Sequence, residues 1–511
     1  MYNYLGQIEK KKDQCYNKFD KHKTLEVFHM NIITHFKEIL EENFNKFIKN
    51  YFNQSNYWDK LSNTNNYINF MNDLDSFNYS LIINIIKEYF EYIDDIFFNS
   101  SYRKKFCTSK GFYERTILTI FGEVTYKRRY YFDNNTNERF FFTDYCLNIP
   151  KRKYFDPFIC SEICNEAASS NYSKSGKIIG SKIGKRIKNT INISRASARN
   201  IVMRFSIDDK NDYDERKVER LFIMLDEKFV GSQFNNGQDH MIKAAVIFEN
   251  TELVYKTKKK KDSVDRYRLV NSHTCASIEN KLLNDTLDYI YKTYDVDNIK
   301  ELIFMGDCAL WIKHFPESQW FNFNKNTNVR FAMDGFHFSQ ALKQLTTNKY
   351  PEVYDALYQY VLSNNKNDFC RLCNEFLDIF PDRKETIESK QDYILNNWNA
   401  RQVYQNNSYM RCSMESHISH IFADIFTSRP KAYSKKGLIQ LLKLRLLKVN
   451  GKNIKELYLK SLNSNTTLEI NENKVNFSIF DKQISNFNPL SLINEPIYSI
   501  PYDNSYHIFR K

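Results

Sequence analysis

Apolar side chains recur at helical spacing in the N-terminal part of the chain. Between residues 25 and 51 they fall every three or four positions, beginning with Leu25 and Phe28, and the pattern returns between 81 and 98 after an asparagine-rich break. A period of 3.6 residues is typical of an amphipathic helix. We therefore predict a helical module over 1–103, whose apolar faces form its own core or, less commonly, a seam between two copies.

A β-rich pattern follows over 104–150. Three runs rich in β-branched and aromatic residues are separated by turn residues: 115–121, 124–132 and 140–142. Such runs predict a small antiparallel sheet. Its second strand places Lys127, Arg128 and Arg129 among tyrosines, an arrangement suited to contacting phosphates by charge and bases by stacking. The equally open alternative is a solvated basic edge that prevents strand-to-strand aggregation.

Three consecutive helical segments are predicted over 151–207, and they occupy 158–168, 173–187 and 194–205. Ser173 and Ser194 stand where N-cap residues are preferred. A series of this kind forms a helix-turn-helix, in which the last helix reads a DNA groove. The side chains assigned to DNA contact are Lys182, Lys185 and Arg186 on the middle helix and Arg195 and Arg199 on the last. Generic three-helix packing is the alternative.

Strands and helices alternate from residue 221 onward. Strands are predicted at 221–226, 243–249, 252–258, 301–307 and 329–334, with a helix at 278–294. Three strands, a helix, a strand, a helix and a strand is the order of an RNase H-like fold. We therefore predict an RNase H-like core whose first part occupies 221–335.

An all-helical stretch interrupts this core. Residues 336–405 have a helical pattern, and only after them, within 406–450, does the helix that carries Glu415 arrive. The predicted fold is thus multidomain α/β, with a helical insertion before the last helix of the core. No function is assigned to the asparagine-rich tail at 451–511.

Charge and composition favour a polyanionic partner. Lys and Arg number 74 against 61 Asp and Glu, so the formal net charge is +13. The basic run at 256–261, with Lys259 and Lys260, is either a solvated hairpin or a phosphate contact. Because the ten cysteines are scattered and no signal or membrane-spanning run is present, we expect a soluble intracellular protein.

Two apolar runs each end in a carboxylate. Asp226 follows 221–225 and Asp307 follows 302–306, while Glu415 opens a later helical segment. A buried strand that ends in an acidic residue delivers its charge to the edge of a sheet. Three such side chains suit two shared hard cations, Mg²⁺ or Mn²⁺, which activate the attacking oxygen and stabilise the leaving oxygen of a phosphodiester. Taken singly, each acidic residue is more often structural or solvated than catalytic.

Five short motifs are spread along most of the chain. They are TIFGEVTYKRRYY at 119–131, DEKFV at 226–230, GDCALWI at 306–312, CSMESHISH at 412–420 and SRP at 428–430. Together they resemble bacterial insertion-sequence transposases of the DDE class, specifically the ISLre type, which is distantly related to Mutator-like transposases. This resemblance implies that Asp226, Asp307 and Glu415 are the catalytic metal ligands, and that the helical stretch before Glu415 is the insertion domain of the group.

The resemblance extends to a second pair of residues and to the reaction. Asp334 and His337 match an Asp-x-x-His signature of related transposases, although His337 is alternatively a core histidine at a helix start. Cys308 stands where the resemblance predicts glycine. The implied activity is binding of terminal inverted repeats in double-stranded DNA, cleavage at the element ends and joining of the 3′-hydroxyls to target DNA by a homo-oligomer. The alternatives are a DNA-binding protein that has lost catalysis and a cellular RNase H-like nuclease.

Overall fold

The computed structural model describes most of the chain. The described residues are 36–49, 64–147, 149, 152–187, 190–206, 215–233, 238–255, 266–323, 327–347, 349–406, 414–427 and 431–468. Contacts divide the chain into two compact units, of which the smaller comprises Ile86–Thr116, Thr125–Arg152 and Leu462–Lys511. The larger comprises Met1–Ile85, Ile117–Val124 and Lys153–Ser461.

Helices occupy the described N-terminal residues. Helix α1 spans 36–49, α2 spans Thr64–Asn99 and α3 spans Ser101–Phe106. The two helical patterns therefore coincide with helices, apart from residues 25–35, 50 and 51, which lie outside the described residues. The C-terminal part of α2, from Ile86 onward, belongs to the smaller unit together with most of the strands that follow, whereas the sequence suggested a module boundary near residue 103.

The smaller unit contains most of a three-stranded sheet. Strands β1 (Cys107–Thr119), β2 (Gly122–Asp133) and β3 (Arg139–Phe141) lie in that order, and helix α4 spans Phe142–Cys146. β2 and β3 are antiparallel, as predicted. Phe97, Tyr131 and Phe142 form the centre of its apolar core, in which the rings of Phe97 and Phe142 stack at 4.0 Å.

Three helices open the main part of the larger unit: α5 (Pro157–Ala167), α6 (Tyr172–Ile187) and α7 (Arg195–Val202). The Ser194 hydroxyl caps α7 by accepting the amide hydrogen of Ser197, as predicted. The prediction of Ser173 as the cap of α6 is wrong, because the helix begins one residue earlier and Asn171 accepts the Lys174 amide instead. A short polar side chain must precede the first turn to reach its free N–H groups.

The central sheet of the larger unit is mixed. This part of the chain contains, in order, β4 (Arg220–Ser232), β5 (His240–Phe248), β6 (Asn250–Tyr255), β7 (Arg266–Val270), β8 (His273–Ser277), α8 (Leu282–Thr293), β9 (Glu301–Gly306), α9 (Leu310–His314) and β10 (Asn328–Met333). The sheet has the order β10-β9-β4-β5-β8. β9 runs parallel to both β4 and β10, whereas β5 is antiparallel to β4 and β8.

One predicted strand of this sheet lies outside it. The segment 252–258 was expected to supply the third strand, but its described part belongs to β6, which pairs only with β7 in a separate two-stranded ribbon. The third strand is β8 instead. Its residues His273–Ser277 are mostly short and polar, yet four of the five are buried, because β8 pairs with β5 and α8 packs beside it.

The two faces of the sheet bury different cores. On β4, Phe222 and Met224 pack into one core while Leu221, Ile223 and Leu225 pack into the other. Alternation of side chains along a strand produces this division, and burial of both faces explains why the central strands are almost uninterrupted apolar runs. The first core also contains residues of α5, α6 and α7, so the three-helix region shares its core with the sheet.

The predicted insertion is all helical in its described residues and has its own core. Its helices are α10 (Gly335–Thr346), α11 (Pro351–Leu362), α12 (Lys366–Ile379), α13 (Lys384–Asn396) and α14 (Trp398–Asn406). Phe338, Phe369 and Trp398 lie at the centre of that core. The last helix, α14, packs against the edge strand β10 and so brings the chain back to the sheet.

The remaining elements cover the first face of the sheet. They are α15 (Met414–Ile418), a π-helical turn at Ser419–Ala423, α16 (Asp424–Phe426), β11 (Ala432–Tyr433), α17 (Lys435–Val449) and α18 (Ile454–Leu468). β11 extends the sheet by pairing with the end of β4. Within the described ranges, every helix is too short or too polar to cross a membrane.

Candidate active site on three neighbouring parallel strands

Three aspartates stand level with one another across neighbouring strands. β4 and β9 pair from Arg220 with Glu301 to Met224 with Met305, and continuing this register by two residues aligns Asp226 with Asp307. The β9–β10 register ends with Gly306 opposite Met333, so Asp334 follows opposite Asp307. Since adjacent strands are ~4.8 Å apart, the three residues form a short acidic row at one edge of the sheet.

The three aspartates also share one face of the sheet. Met224, Met305 and Ala332 each lie two residues before an aspartate, and all three belong to the core on the first face. Because side chains alternate along a strand, residues two apart point the same way. Asp226, Asp307 and Asp334 therefore project toward the face on which α15 and α16 pack.

Local hydrogen bonds orient two of these carboxylates. The Asp226 Oδ1 accepts the amide hydrogen of Glu227 at 2.7 Å, and the Asp307 Oδ1 accepts that of Ala309 at 2.9 Å. Between Asp307 and Ala309, Cys308 has φ +71°, in the left-handed region that disfavours residues with a Cβ. This backbone turn gives a physical reason for the glycine that the resemblance predicts at this position.

The charges of the acidic row act on one another and on His337. Burial, followed by the negative charge of Asp307, raises the pKa of Asp226 to about 6, against the opposing effects of the Glu227 amide and His337. The pKa of His337 is raised, first by its hydrogen bond to Asp334 and then by the charges of Asp334, Asp307 and Asp226. Carboxylates this close together disfavour joint ionisation, and a cation relieves that repulsion.

Asp334 and His337 form a local unit at the start of α10. The Asp334 Oδ1 accepts the Phe336 amide hydrogen as an N-cap, and its Oδ2 lies 2.8 Å from the His337 Nδ1. His337 is only partly buried, and the negative charges of all three aspartates act on it. It is therefore not fully enclosed in the core, and it lies near enough to Asp307 and Asp226 for their charges to raise its pKa.

The helix of Glu415 packs over the same face. Met414, Ile418 and Phe422 are buried in the core that contains Met224 and Met305, and α15 contacts β4 directly. Glu415 itself is exposed in the first turn of α15. The structure thus brings the Glu415 backbone to the face of Asp226 and Asp307 while its carboxylate remains open to solvent.

A π-helical turn follows Glu415 and has its own support. Arg445 donates from Nε to the Ile421 carbonyl and from Nη2 to the His420 carbonyl, each at 2.8 Å. A widened turn leaves carbonyl groups poorly paired within the helix, and insertions of this kind often accompany functional sites. α17 therefore stabilises the helix that carries Glu415.

The donor set fits a hard divalent cation. Asp226 and Asp307 offer carboxylate oxygens from adjacent strands, and proteins usually hold Mg²⁺ with one or two carboxylates, leaving water and substrate phosphate to complete its shell. In the portion of the chain that is described, no three acidic, histidine or cysteine side chains are gathered into a complete metal site. The structure therefore aligns Asp226 with Asp307, while cation binding by this pair, with Glu415 as a third ligand, stays a prediction.

The basic strand residues of the smaller unit differ in their availability. Arg128 is buried, with its Nη1 3.1 Å from the Asp144 carboxylate and its guanidinium 3.5 Å from the Phe141 ring centre. Arg129 pairs with Asp94 at 2.7 Å. These contacts do not favour DNA binding by either arginine, because Arg128 is buried beside Asp144 and Arg129 is paired with Asp94. Lys127 is exposed, so phosphate contact stays a prediction for it.

The basic residues of the three-helix region are mostly at the surface. Lys182 and Lys185 on α6 and Arg195 and Arg199 on α7 are exposed. The side chain of Arg186 lies outside the described residues, as do Lys259 and Lys260. DNA contact by these seven residues stays a prediction, and the four exposed residues have the accessibility that it requires.

Sequence reasoning did not single out three side chains beside the acidic row. The Trp311 indole donates to the Glu227 carboxylate, and the Lys243 Nζ lies 5.0 Å from the Trp311 ring centre. Glu227 and Lys243 are also cross-strand partners in the β4–β5 register. Glu227 lies within the motif at 226–230 and Trp311 within the motif at 306–312, and membership of these motifs is the only signal in the sequence that could have indicated them.

Comparison with known proteins identifies the family. The chain belongs to the family described as Uncharacterised protein family (UPF0236), which matches residues 64–461. Two relatives from Caldanaerobacter subterraneus subsp. tengcongensis, each named a UPF0236 protein, are 25% identical over 351 residues, covering 67% of this chain and 69% and 70% of their own lengths. A third from the same organism is 24% identical over 351 residues, covering 67% of this chain and 69% of its own length.

Proposed function

We propose that this protein is a DDE transposase of the ISLre type that cleaves and joins DNA by metal-dependent phosphoryl transfer. The observation that carries the proposal is the alignment of Asp226 with Asp307 on adjacent parallel strands, on the sheet face covered by the Glu415 helix. Carboxylates in this arrangement are suited to hard cations and phosphate oxygens. Glu415 is proposed as the third ligand.

The topology supports an RNase H-like core. The five strands of the central sheet, numbered 1 to 5 by their order in the chain, lie side by side as 5-4-1-2-3. Strand 2 is antiparallel to its neighbours 1 and 3, whereas strands 1, 4 and 5 are parallel to one another. Such a core, with helices on both faces, places the ends of strands 1 and 4 side by side at the centre of the sheet. Asp226 lies within strand 1, just beyond the last residue that pairs with strand 4, and Asp307 directly follows strand 4.

The proposed chemistry has two displacements at phosphorus. In the first, water attacks a phosphodiester at the element end, and the bond to the 3′-oxygen breaks to leave a 3′-hydroxyl. In the second, that hydroxyl attacks a target phosphodiester, and the bond from the target phosphorus to its 3′-oxygen breaks, so that the target strand leaves with a 3′-hydroxyl. Bound divalent cations supply activation of the attacking oxygen and stabilisation of the leaving oxygen. Asp226 and Asp307 hold the site, and Asp334 orients His337 beside it.

Two further observations support a mobile-element enzyme with a DNA partner. The name of one relative carries eleven locus designations from a single genome, and that of another carries four, as multiplying elements would produce. The exposed basic residues of α6 and α7 belong to the same unit as the acidic row. We propose that they hold double-stranded DNA, and that two ends are held by a homo-oligomer.

The test is metal-dependent cleavage of DNA that contains the ends flanking the coding sequence. We expect Asp226→Ala, Asp307→Ala and Glu415→Ala each to lower cleavage by at least about 10³-fold while leaving DNA binding intact, because each removes charge from a shared cation site. Asp355→Ala, which changes an exposed carboxylate of the insertion, is the matched control.

The outcomes separate the alternatives. Full cleavage by a single variant removes that residue from the site. Binding without cleavage by the wild-type chain under Mg²⁺ and Mn²⁺ favours a DNA-binding protein that has lost catalysis. Cleavage of structured nucleic acid without preference for the flanking ends favours a cellular nuclease.

A further inference from the structure

The helical insertion makes a hydrogen bond to the backbone of a proposed catalytic residue. The Tyr393 hydroxyl, on α13, donates to the main-chain carbonyl of Asp307 at 2.5 Å. The two residues are 86 positions apart in the chain. Burial is the largest of the causes that raise the pKa of Tyr393, so its hydroxyl keeps the donated proton at physiological pH.

This bond falls on the turn that aims the Asp307 carboxylate. The turn is made by the left-handed backbone of Cys308 and by the bond from the Ala309 amide to the Asp307 Oδ1. A left-handed non-glycine residue is unfavourable on its own and persists where surrounding contacts hold it. The Cys308 side chain is buried in the core of the insertion, so Tyr393 and Cys308 fix the turn from the same side.

The insertion also contacts the third position of the row. α13 packs along α10, and α10 begins at Asp334, whose carboxylate caps it and pairs with His337. The helical insertion therefore contacts the backbone of Asp307 through Tyr393, and its first helix, α10, directly follows Asp334 in the chain. In such an arrangement, displacement of α13 moves the carbonyl and the carboxylate of Asp307 together.

We propose that Tyr393 is a positioning residue, which sets the direction of the Asp307 carboxylate by holding the turn after β9 through the Asp307 carbonyl. The relevance of this role to DNA cleavage rests on the proposed function. The positional claim does not, because the turn can be observed in the metal-free chain.

The first test measures the turn itself. Cys308 is 8% exposed, and its alkylation in metal-free full-length protein, followed by peptide mass mapping, reports opening of the turn. We expect Tyr393→Phe to raise the Cys308 alkylation rate about three- to tenfold, which corresponds to the loss of one hydrogen bond. Tyr358→Phe, which removes a half-buried hydroxyl from the same insertion, should leave the rate unchanged.

The second test measures cation affinity in the same variants. Calorimetric titration with Mn²⁺ should give a dissociation constant about three- to tenfold higher for Tyr393→Phe than for wild type or Tyr358→Phe. Equal urea midpoints would show that the variant is folded, and faster exchange of the Ala309 amide hydrogen in Tyr393→Phe would report the same opening without a thiol reagent.

The results separate the two proposals. Unchanged Cys308 alkylation and unchanged Ala309 exchange in a folded Tyr393→Phe variant would overturn the positioning role and leave Tyr393 as a packing residue. If the wild-type chain lacks cleavage but Tyr393→Phe still opens the turn, the positioning role holds and the proposed function fails.

Discussion

In the metal-free protein, the acidic row should lower the free energy of unfolding. Asp226 is partly buried beside Asp307, and its pKa is raised from 3.8 to about 6. Asn has nearly the same shape as Asp, and its side-chain oxygen can still accept the Glu227 amide hydrogen. Asp226→Asn therefore removes the unfavourable charge while keeping the local hydrogen bond, and we predict that it stabilises the metal-free chain.

The magnitude follows from the pKa. An acid whose pKa is raised in the folded state loses its proton more readily when unfolded, so its ionisation favours unfolding. This destabilisation is absent well below pH 3.8, grows as the pH rises from 3.8 to about 6, and is fully present above that pH. A shift of about two units corresponds to ~3 kcal/mol at pH 8, and solvent access to the site reduces the expected gain to ~2 kcal/mol. At pH 4 the gain should be below ~1 kcal/mol.

Urea denaturation in EDTA measures the difference directly. Wild type and Asp226→Asn are compared at pH 8 and pH 4, with Asp355→Asn as an exposed control whose stability should match wild type. Saturating Mg²⁺ at pH 8 should stabilise wild type, because a ligand that binds the folded state shifts the equilibrium toward it, and should have less effect on Asp226→Asn. Equal or lower stability of metal-free Asp226→Asn at pH 8 would refute the account of the acidic row.

Two further predictions concern backbone geometry, and each is measured by urea denaturation. Cys308→Gly should change stability by less than ~1 kcal/mol, because relief of the left-handed φ offsets the lost side chain, whereas the β-branched Cys308→Val should cost ~3 kcal/mol. Tolerance of valine equal to that of glycine would contradict the strained turn. Gly180→Ala should cost ~2 to 4 kcal/mol, because a Cβ there would lie 2.4 Å from the Ile191 carbonyl oxygen, while Ser181→Ala on the exposed side should change little. A raised midpoint for Gly180→Ala would mean that helix propensity outweighs the close approach.

The elements that sequence reasoning located correctly are those with strong periodic signals. The segments before Asp226 and Asp307 are buried on both faces, so each is an almost uninterrupted apolar run followed by a carboxylate. The predicted end of the first strand at Asp226 is wrong, because β4 continues to pair with β5 and reaches Ser232. β8 carried no such signal, because its residues His273–Ser277 are short and mostly polar, and neighbouring elements bury them. Local pattern predicts a strand only where the strand's own side chains supply the apolar face.

Pairing partners are the second class of feature that the sequence left open. The charge of Arg128 looked available for DNA, but its partner Asp144 lies 16 positions later, beyond a turn and a further strand. Tyr393 gave no sign of its contact with Asp307, because nothing in the pattern of α13 indicates which end of the sheet that helix approaches. Both depend on tertiary packing between separate elements.

Strand transfer tests the central proposal most directly. A labelled DNA end carrying a free 3′-hydroxyl is incubated with the full-length chain, Mg²⁺ and a circular target, and covalent joining is scored on a denaturing gel. The account predicts a joined product that is lost with a 3′-deoxy end and with Asp307→Asn, and retained with Asp355→Asn. Bound ends that are never joined to the target under Mg²⁺ or Mn²⁺ would contradict it.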